Sequence, residues 1–537
     1  MRLISLGGLT ALTAAVTAAA ASTYDYIVVG GGPAGIITAE RLSAANKKVL
    51  LLEQGSGPTV DTGSNNTLSW NETLTPVDVP GLTSAVGSLT NYMCTDTGGY
   101  AACVLGGGVT INYMVFVHPP DHDFDDKWPK GWKWSNVAPA AKRLYARNPG
   151  TVLPSQDGQR YDQGLCDTLS TFFSGLGWKS VDMIKQPNEK HQVYSYPSWN
   201  IKNAIRAGPV RTYLPLAQAR DNFSLRLSTK VIRLVRSGSR VTGVEVETNG
   251  TRETIKLSKK GRVVLSAGAM STPRVLFNSG IGPKAQILTA NKTGVTLPPK
   301  KDWIELPVGK NLKDHPIFSI NVKTNETWNV FNTTGVVDGS DITDIDVYES
   351  KSSGILTQGR HRLIFFSSNE GSDGATRFYQ GSCAASGEGI VQIKVYMTHG
   401  LTSEGVLGLS EDGSTTIETA PYLQTEGDRE AATSFVQEMV DSIIESSTGF
   451  ELQTYTNTSA IIGSQTSGNH YVGTAKMGTD DGRKGGSSVV DTNTKVYGMD
   501  NLFISDASIH PDLPTGNSQT IVMVVAEMAV AKILAYK

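Results

Sequence analysis

Cysteine and histidine are scarce in this chain. Among 537 residues there are 4 cysteines and 8 histidines. Cys94, Cys103, Cys166 and Cys383 are too few for a disulfide scaffold. No C-x-x-C pair or Cys/His cluster has zinc-ligand spacing, so no metal is expected. Cys94 and Cys103 stand close enough to bridge around a loop, or to remain as buried thiols. An excess of one charge is also missing. Lys and Arg number 48 against 50 Asp and Glu, a net charge of −2. Without a basic stripe, no nucleic-acid partner is expected. No G-x-S-x-G elbow occurs, which excludes a hydrolase of that type. Past Ala21 no stretch is long and apolar enough to span a bilayer, and no membrane partner is expected. Repeats and low-complexity linkers are absent as well.

What is present is material for a large core. The chain is 39% hydrophobic, and its length points to two or more domains. Arg2, a short apolar run and a string of alanines predict a signal peptide over residues 1–21, and hence secretion. N-x-S/T sequons at Asn65, Asn71, Asn222, Asn249, Asn291, Asn325, Asn332 and Asn457 fit an exported glycoprotein.

The segment YDYIVVGGGPAGIITAERLSAANKKVLLLEQG follows. Tyr26–Val29 and Val49–Leu52 are apolar runs suited to buried parallel strands. Between them Gly30, Gly32 and Gly35 form G-x-G-x-x-G at the start of a helical pattern, and Glu53 closes the second strand. In that βαβ setting Gly30 makes the tight turn, Gly32 lets a pyrophosphate approach, and Gly35 lets helix and strand pack. The helix N-terminus attracts the diphosphate, and Glu53 is expected on the ribose hydroxyls. An exported enzyme would lose an exchangeable nicotinamide cofactor, so a tightly held flavin is expected.

LGGGVTIN (Leu105–Asn112) is a second glycine segment, in which Gly107 and Asn112 are expected against the cofactor. VHPPDHDFD gathers His118 and His122 beside aspartates, but Pro119 and Pro120 break any helix aligning them, and a capped loop is expected. A hairpin is expected around Ser237–Arg240, a buried strand at Val263–Leu265, a strand-to-helix turn at Gly268, and Pro273 in the first turn of that helix. Residues 321–460 read as a different, loop-rich unit. Near the end come a strand at Leu502–Ile504, Asp506 at its tip, and a long apolar helix from about Gln519. The fold class is therefore α/β, with a discontinuous nucleotide domain.

Several segments together resemble the glucose–methanol–choline (GMC) family of flavin oxidoreductases. They are GGGPAG with LLLEQG, LGGGVTIN, GAMSTPRVLFNSGIG, PVGKNLKDHP and HPDLPTGNSQ, in that order along the chain. RAGPVRTYL, GSDGATRFYQG and LPTGN resemble the flavin domains of fungal cellobiose dehydrogenases within that family, although no haem domain is expected ahead of the flavin segment.

The resemblance implies a Rossmann-like FAD domain over 22–125, 215–310 and 475–537. An α+β substrate domain on an antiparallel sheet would cover 126–214 and 311–474. It implies FAD held also by Val231, Gly268, Asp506 and Asn517. It maps a catalytic base onto His470 and its partner onto Asn517, with Asn469 touching substrate or flavin. Hydride would pass to flavin N5 and electrons to a quinone or protein acceptor. A monomer oxidising an alcohol of a carbohydrate is implied. Peroxide-forming oxidation, or action on a small non-sugar alcohol, is the alternative. Glu404 stands where the cellobiose branch has an arginine near the sugar, and Gly468 stands where it has a serine. Beside prolines, His315 and His510 are expected to fill structure, and His191, His361 and His399 have no assigned role.

Overall fold

The structure is a computed structural model describing residues 23–84, 89–328 and 331–537. The expected signal peptide lies outside the described residues. The first sheet is built on apolar runs. Strands Phe223–Arg226, Val49–Leu52, Tyr24–Val29, Thr251–Leu265 and Leu502–Ile504 lie side by side and parallel. Val28 pairs with Leu51 on one side and Val264 on the other, and Val264 pairs with Phe503. Both faces are covered, so these strands carry apolar side chains without alternation. The long strand Thr251–Leu265 enters this sheet with its second half only. Its first half is antiparallel to Arg240–Thr248, which pairs with Lys230–Ser237 across the expected hairpin.

Helix Pro33–Ala44 packs on the last helix, Gln519–Ala535, which also packs on Trp134–Arg147. Glu527 of the last helix is buried at their junction. It accepts from Arg41 Nη2 at 2.6 Å, Arg143 Nε at 3.2 Å and the Tyr213 hydroxyl at 2.7 Å. Trp128, Trp132, Val137 and Leu144 lie in this first core, although their segment was expected with the substrate domain. Helix Gly268–Phe277 starts at the expected turn, but Pro273 sits inside it instead of in its first turn. The Ala269 carbonyl is deprived of its helical N–H by that proline, and it accepts from Thr474 Oγ1 at 2.7 Å.

The second sheet is mainly antiparallel. Its order is Glu451–Gln453, Pro316–Lys323, Ile390–Met397, Thr376–Gly387, Leu363–Glu370, Val193–Ser195 and Lys179–Ser180. Alternation now matters. Phe318, Ile320, Phe365, Ile393, Val395 and Met397 face a second core against helices Gly164–Gly175 and Glu426–Glu445. The intervening residues Ile317, Gln380, Ser382, Lys394 and Tyr396 line a cavity instead. Cys94 and Cys103 form a disulfide, and Cys166 and Cys383 are buried free thiols. No helix among the described residues is long and apolar enough to cross a membrane.

Candidate active site

A cavity of about 510 Å³ opens at the C-terminal ends of the parallel strands and continues under the antiparallel sheet. Strand ends in an open α/β sheet leave such a crevice. Gly30 has φ +102°, and a Cβ there would lie 2.4 Å from the Ser266 carbonyl oxygen. A Cβ on Gly35 would lie 1.9 Å from the Gly30 carbonyl oxygen, so helix and strand touch backbone to backbone. Gly35 itself does not line the cavity, whereas Gly30, Gly32, Glu53, Gly107, Asn112, Val231, Gly268, Asp506 and Asn517 do. Glu53 buttresses the glycine loop: Gly31 N–H donates to Oε2 and Gly55 N–H to Oε1, each at 2.7 Å. Burial pushes its carboxyl up to about 7 against those donors. Asp506 does the same for the second turn, accepting from Gly268 N–H at 2.9 Å and Thr272 Oγ1 at 2.6 Å.

The fit to a dinucleotide rests on two helix starts. Helices Pro33–Ala44 and Gln519–Ala535 both begin at the cavity wall, and neither has a side-chain cap. Their first N–H groups are free for an anionic ligand, and their dipoles favour one. A Cβ on Gly32 would meet nothing nearer than 4.0 Å, so the loop leaves open space where a diphosphate belongs.

The far end of the cavity holds His470, Asn517 and Asn469 together. Asp314, fully buried, sets the loop that carries His470. Its Oδ1 accepts from His470 N–H at 2.6 Å, and its Oδ2 from Gly468 N–H at 3.1 Å and Ser467 Oγ at 2.7 Å. Asn469 has φ +54° within that turn.

Hydrogen-bond directions then fix the imidazole. Asn517 N–H donates to Gln380 Oε1 at 2.9 Å, so Gln380 Nε2 faces the Asn517 side chain, 2.7 Å from its Oδ1. Asn517 Oδ1 is thereby the acceptor, and Nδ2 points at His470 Nε2, 3.4 Å away. A donor facing Nε2 requires a lone pair there. His470 therefore carries its hydrogen on Nδ1, which lies 2.9 Å from His315 Nδ1, and His315 accepts it. Burial lowers His470 below the usual imidazole value, with Asp314 opposing, and lowers His315 further. His470 is neutral at neutral pH with its lone pair toward Asn517, as a general base requires.

Several expected placements change. His315 was expected to fill structure, yet it contacts His470 directly. His361, without an assigned role, lines the cavity. Glu404 does not line it. Glu404 is exposed, because Ser403 N–H is held by Asp428 Oδ2 at 2.7 Å and Gly405 N–H by the Leu312 carbonyl at 2.7 Å. His118 and His122 part company. His118 stacks on Tyr145, while His122 begins a single helical turn, His122–Asp125. His122 does meet Asp123 and His399, a trio with metal-like spacing. His399 has no lone pair to offer: Nδ1 donates to the Leu513 carbonyl at 2.7 Å, and Nε2 faces Asp126 Oδ2 at 2.8 Å. Against burial, Asp126, Asp512 and Asp123 hold His399 up at about 9. The trio holds Thr515, whose N–H donates to Asp123 Oδ1 at 2.9 Å, and so steadies the loop before Asn517.

Comparison with known proteins decides the family. Residues 24–317 match the N-terminal model of GMC oxidoreductases, and residues 402–526 match the C-terminal one. The chain belongs to the GMC oxidoreductase family. This GMC oxidoreductase is 27% identical to fatty acid photodecarboxylase of Chlamydomonas reinhardtii, over 96% of this chain and 92% of the relative. It is 26% identical to 5-(hydroxymethyl)furfural oxidase of Methylovorus sp. (strain MP688), over 95% of this chain and 98% of the relative. In fold it is similar to a formate oxidase crystal structure, with TM-score 0.76 and 19% identity, over 96% of this chain and 99% of the other. As a GMC oxidoreductase it binds FAD and oxidises alcohols. The two uncapped helix starts and the glycine loops are the residues that would hold FAD.

The sequence signal for His315 lay in PVGKNLKDHP, whose Asp314 and His315 are adjacent. That segment was assigned to the family and to no task. Gln380 lay in GSDGATRFYQG without an assigned task, and Ser382, Lys394 and Tyr396 left no motif, because sheet alternation alone turns them to the cavity.

Proposed function

We propose that the protein oxidises a primary alcohol on a small ring-shaped molecule, and that electrons then pass to a quinone or comparable acceptor. The cavity-facing edge shared by His470 Nε2 and Asn517 Nδ2, 3.4 Å apart, carries this reading. A hydroxyl placed there donates to the Nε2 lone pair and accepts from the amide N–H. His470 takes the hydroxyl proton at Nε2, and Asn517 holds the oxygen while its charge grows. His315 accepts the Nδ1 hydrogen bond and stabilises the imidazolium that forms. Bound FAD supplies the hydride acceptor, so that the carbinol carbon becomes a carbonyl. Tyr113, His361 and Tyr396 give the neighbouring wall aromatic faces, which suits a planar ring. The name of the furfural oxidase relative, a hydroxymethyl group on such a ring, agrees with it.

A carbohydrate substrate is the second reading, resting on the resemblance to the cellobiose branch. The two buried arginines of the segments behind that resemblance have structural tasks. Arg206 is buried and donates to the Val77 and Asn112 carbonyls, each at 2.8 Å. Arg377 is buried against Asp428 at 2.9 Å. Neither reaches the cavity, whereas Gln380 and Asn517 of the same segments do. We also propose secretion. The Cys94–Cys103 disulfide and the exposed sequons at Asn65, Asn249, Asn291 and Asn325 support it.

The test is an anaerobic titration of purified protein with benzylic alcohols, furfuryl alcohols and cello-oligosaccharides. Bleaching by the first two but not the third is expected. Bleaching by cello-oligosaccharides alone overturns the ring reading, and a colourless protein overturns the whole. Recolouring by a benzoquinone faster than by air supports the dehydrogenase.

A further inference from the structure

Beyond Gln380 and Tyr396 the cavity face of the antiparallel sheet carries a second row. Ser382 pairs with Lys394, as Gln380 pairs with Tyr396. Two residues of strand separate the rows, about 7 Å. Tyr396 lies against His470, with ring centroids 6.0 Å apart, so the second row lies one strand step beyond the row that touches the base. His361 lines the cavity as well.

None of the polar groups in this second row is satisfied by the protein. Lys394 has no ion pair or side-chain hydrogen bond among the described residues. Ser382 is 2% exposed and His361 7% exposed, yet Ser382 Oγ and His361 Nδ1 have no partner. Leaving such groups unpaired is costly unless a ligand completes them. The surrounding charge has one sign. Arg360 and Arg362 flank His361, and among the described residues only Arg362 has a counterion, Asp162 at 2.7 Å. The two carboxylates on the cavity wall, Glu53 and Asp506, are engaged at the glycine loops.

We propose that Lys394, Ser382 and His361 form a subsite for a carboxylate on the alcohol substrate. The preferred substrate is then a hydroxymethyl-bearing aromatic or heteroaromatic acid. The proposal rests on the alcohol-oxidation reading and names its substrate class. One ammonium and two neutral donors balance a single negative charge, and the ring bridges the distance between the carboxylate and the hydroxyl. Burial and Arg360 both lower the Lys394 ammonium from its usual value, so an arriving anion relieves it.

The experiment compares para-(hydroxymethyl)benzoate with its methyl ester as reductants of the holoenzyme. Wild type, Lys394→Gln and Lys394→Arg are assayed anaerobically, and benzoate is titrated separately through its perturbation of the flavin spectrum. Wild type should favour the acid by about tenfold to a hundredfold in kcat/KM, the worth of one charge-assisted bond. Lys394→Gln should abolish that preference through KM, cost the ester far less than the acid and weaken benzoate binding by the same factor. Lys394→Arg should restore part of it. Equal rates for acid and ester, or a Lys394→Gln loss shared by both, overturns the subsite. If the ester or another neutral alcohol bleaches the flavin and the acid does not, the subsite fails and the alcohol reading stands. If no alcohol bleaches it, the alcohol reading fails and takes the subsite with it.

Discussion

His470 owes its lone pair to a chain of four groups: the Asn517 N–H, Gln380, the Asn517 amide and His315. Replacing His470 by Ala should lower the rate of flavin reduction by about 10²–10⁴-fold, with little change in the flavin spectrum before substrate is added. Stopped-flow absorbance reads both. The sign of the pH dependence follows from burial. His470 must be neutral to act, and its pKa is lowered below the usual 6.5. The acid limb of kcat/KM should therefore lie below pH 6.5, with a plateau above it. A limb above 6.5 would mean that some other group, or a protonated His470, controls the reaction. At this scale the sequence was half legible. His470 and Asn517 received their tasks from the family resemblance, whereas Gln380 and His315, although inside GSDGATRFYQG and PVGKNLKDHP, show theirs only once tertiary folding brings them together.

Among the elements, the strands of the parallel sheet were readable because each is a short apolar run beside a glycine or an acid. Thr376–Gly387 was not, since its sequence TRFYQGSCAASG mixes core residues with cavity residues at every second position. Read alone, that pattern is a polar loop. Arg377 in this strand is wholly buried and binds Asp428 at the start of helix Glu426–Glu445. Arg377→Met strands Asp428 without its cation, and should destabilise the fold by about 3–5 kcal/mol. Chemical denaturation followed by fluorescence measures this, and a change under 1 kcal/mol would show the pair to be dispensable. The helix face of the sheet would be damaged before the cavity face, so residual folded protein should keep its substrate preference.

For the whole molecule, the decisive fact is that the first sheet draws on the start, the middle and the end of the chain. Glu527 ties that closure to Arg41, Arg143 and Tyr213. Glu527→Gln should lower stability by about 3 kcal/mol, because two arginines lose their carboxylate. Thermal release of FAD, seen as a rise in flavin fluorescence, should move to lower temperature in the same variant. Unchanged release would separate the helix junction from the cofactor site.

The strand Leu502–Ile504 sets a timetable for biosynthesis. A nascent chain makes its glycine loop about 470 residues before the neighbour that brings Asp506 and the helix that follows Asn517. Until they leave the ribosome the crevice has one wall missing and the base has no partner. Capture of the cofactor is thereby deferred until helix Gln519–Ala535 has been made, and a chain cut short before it is left without a complete cofactor site.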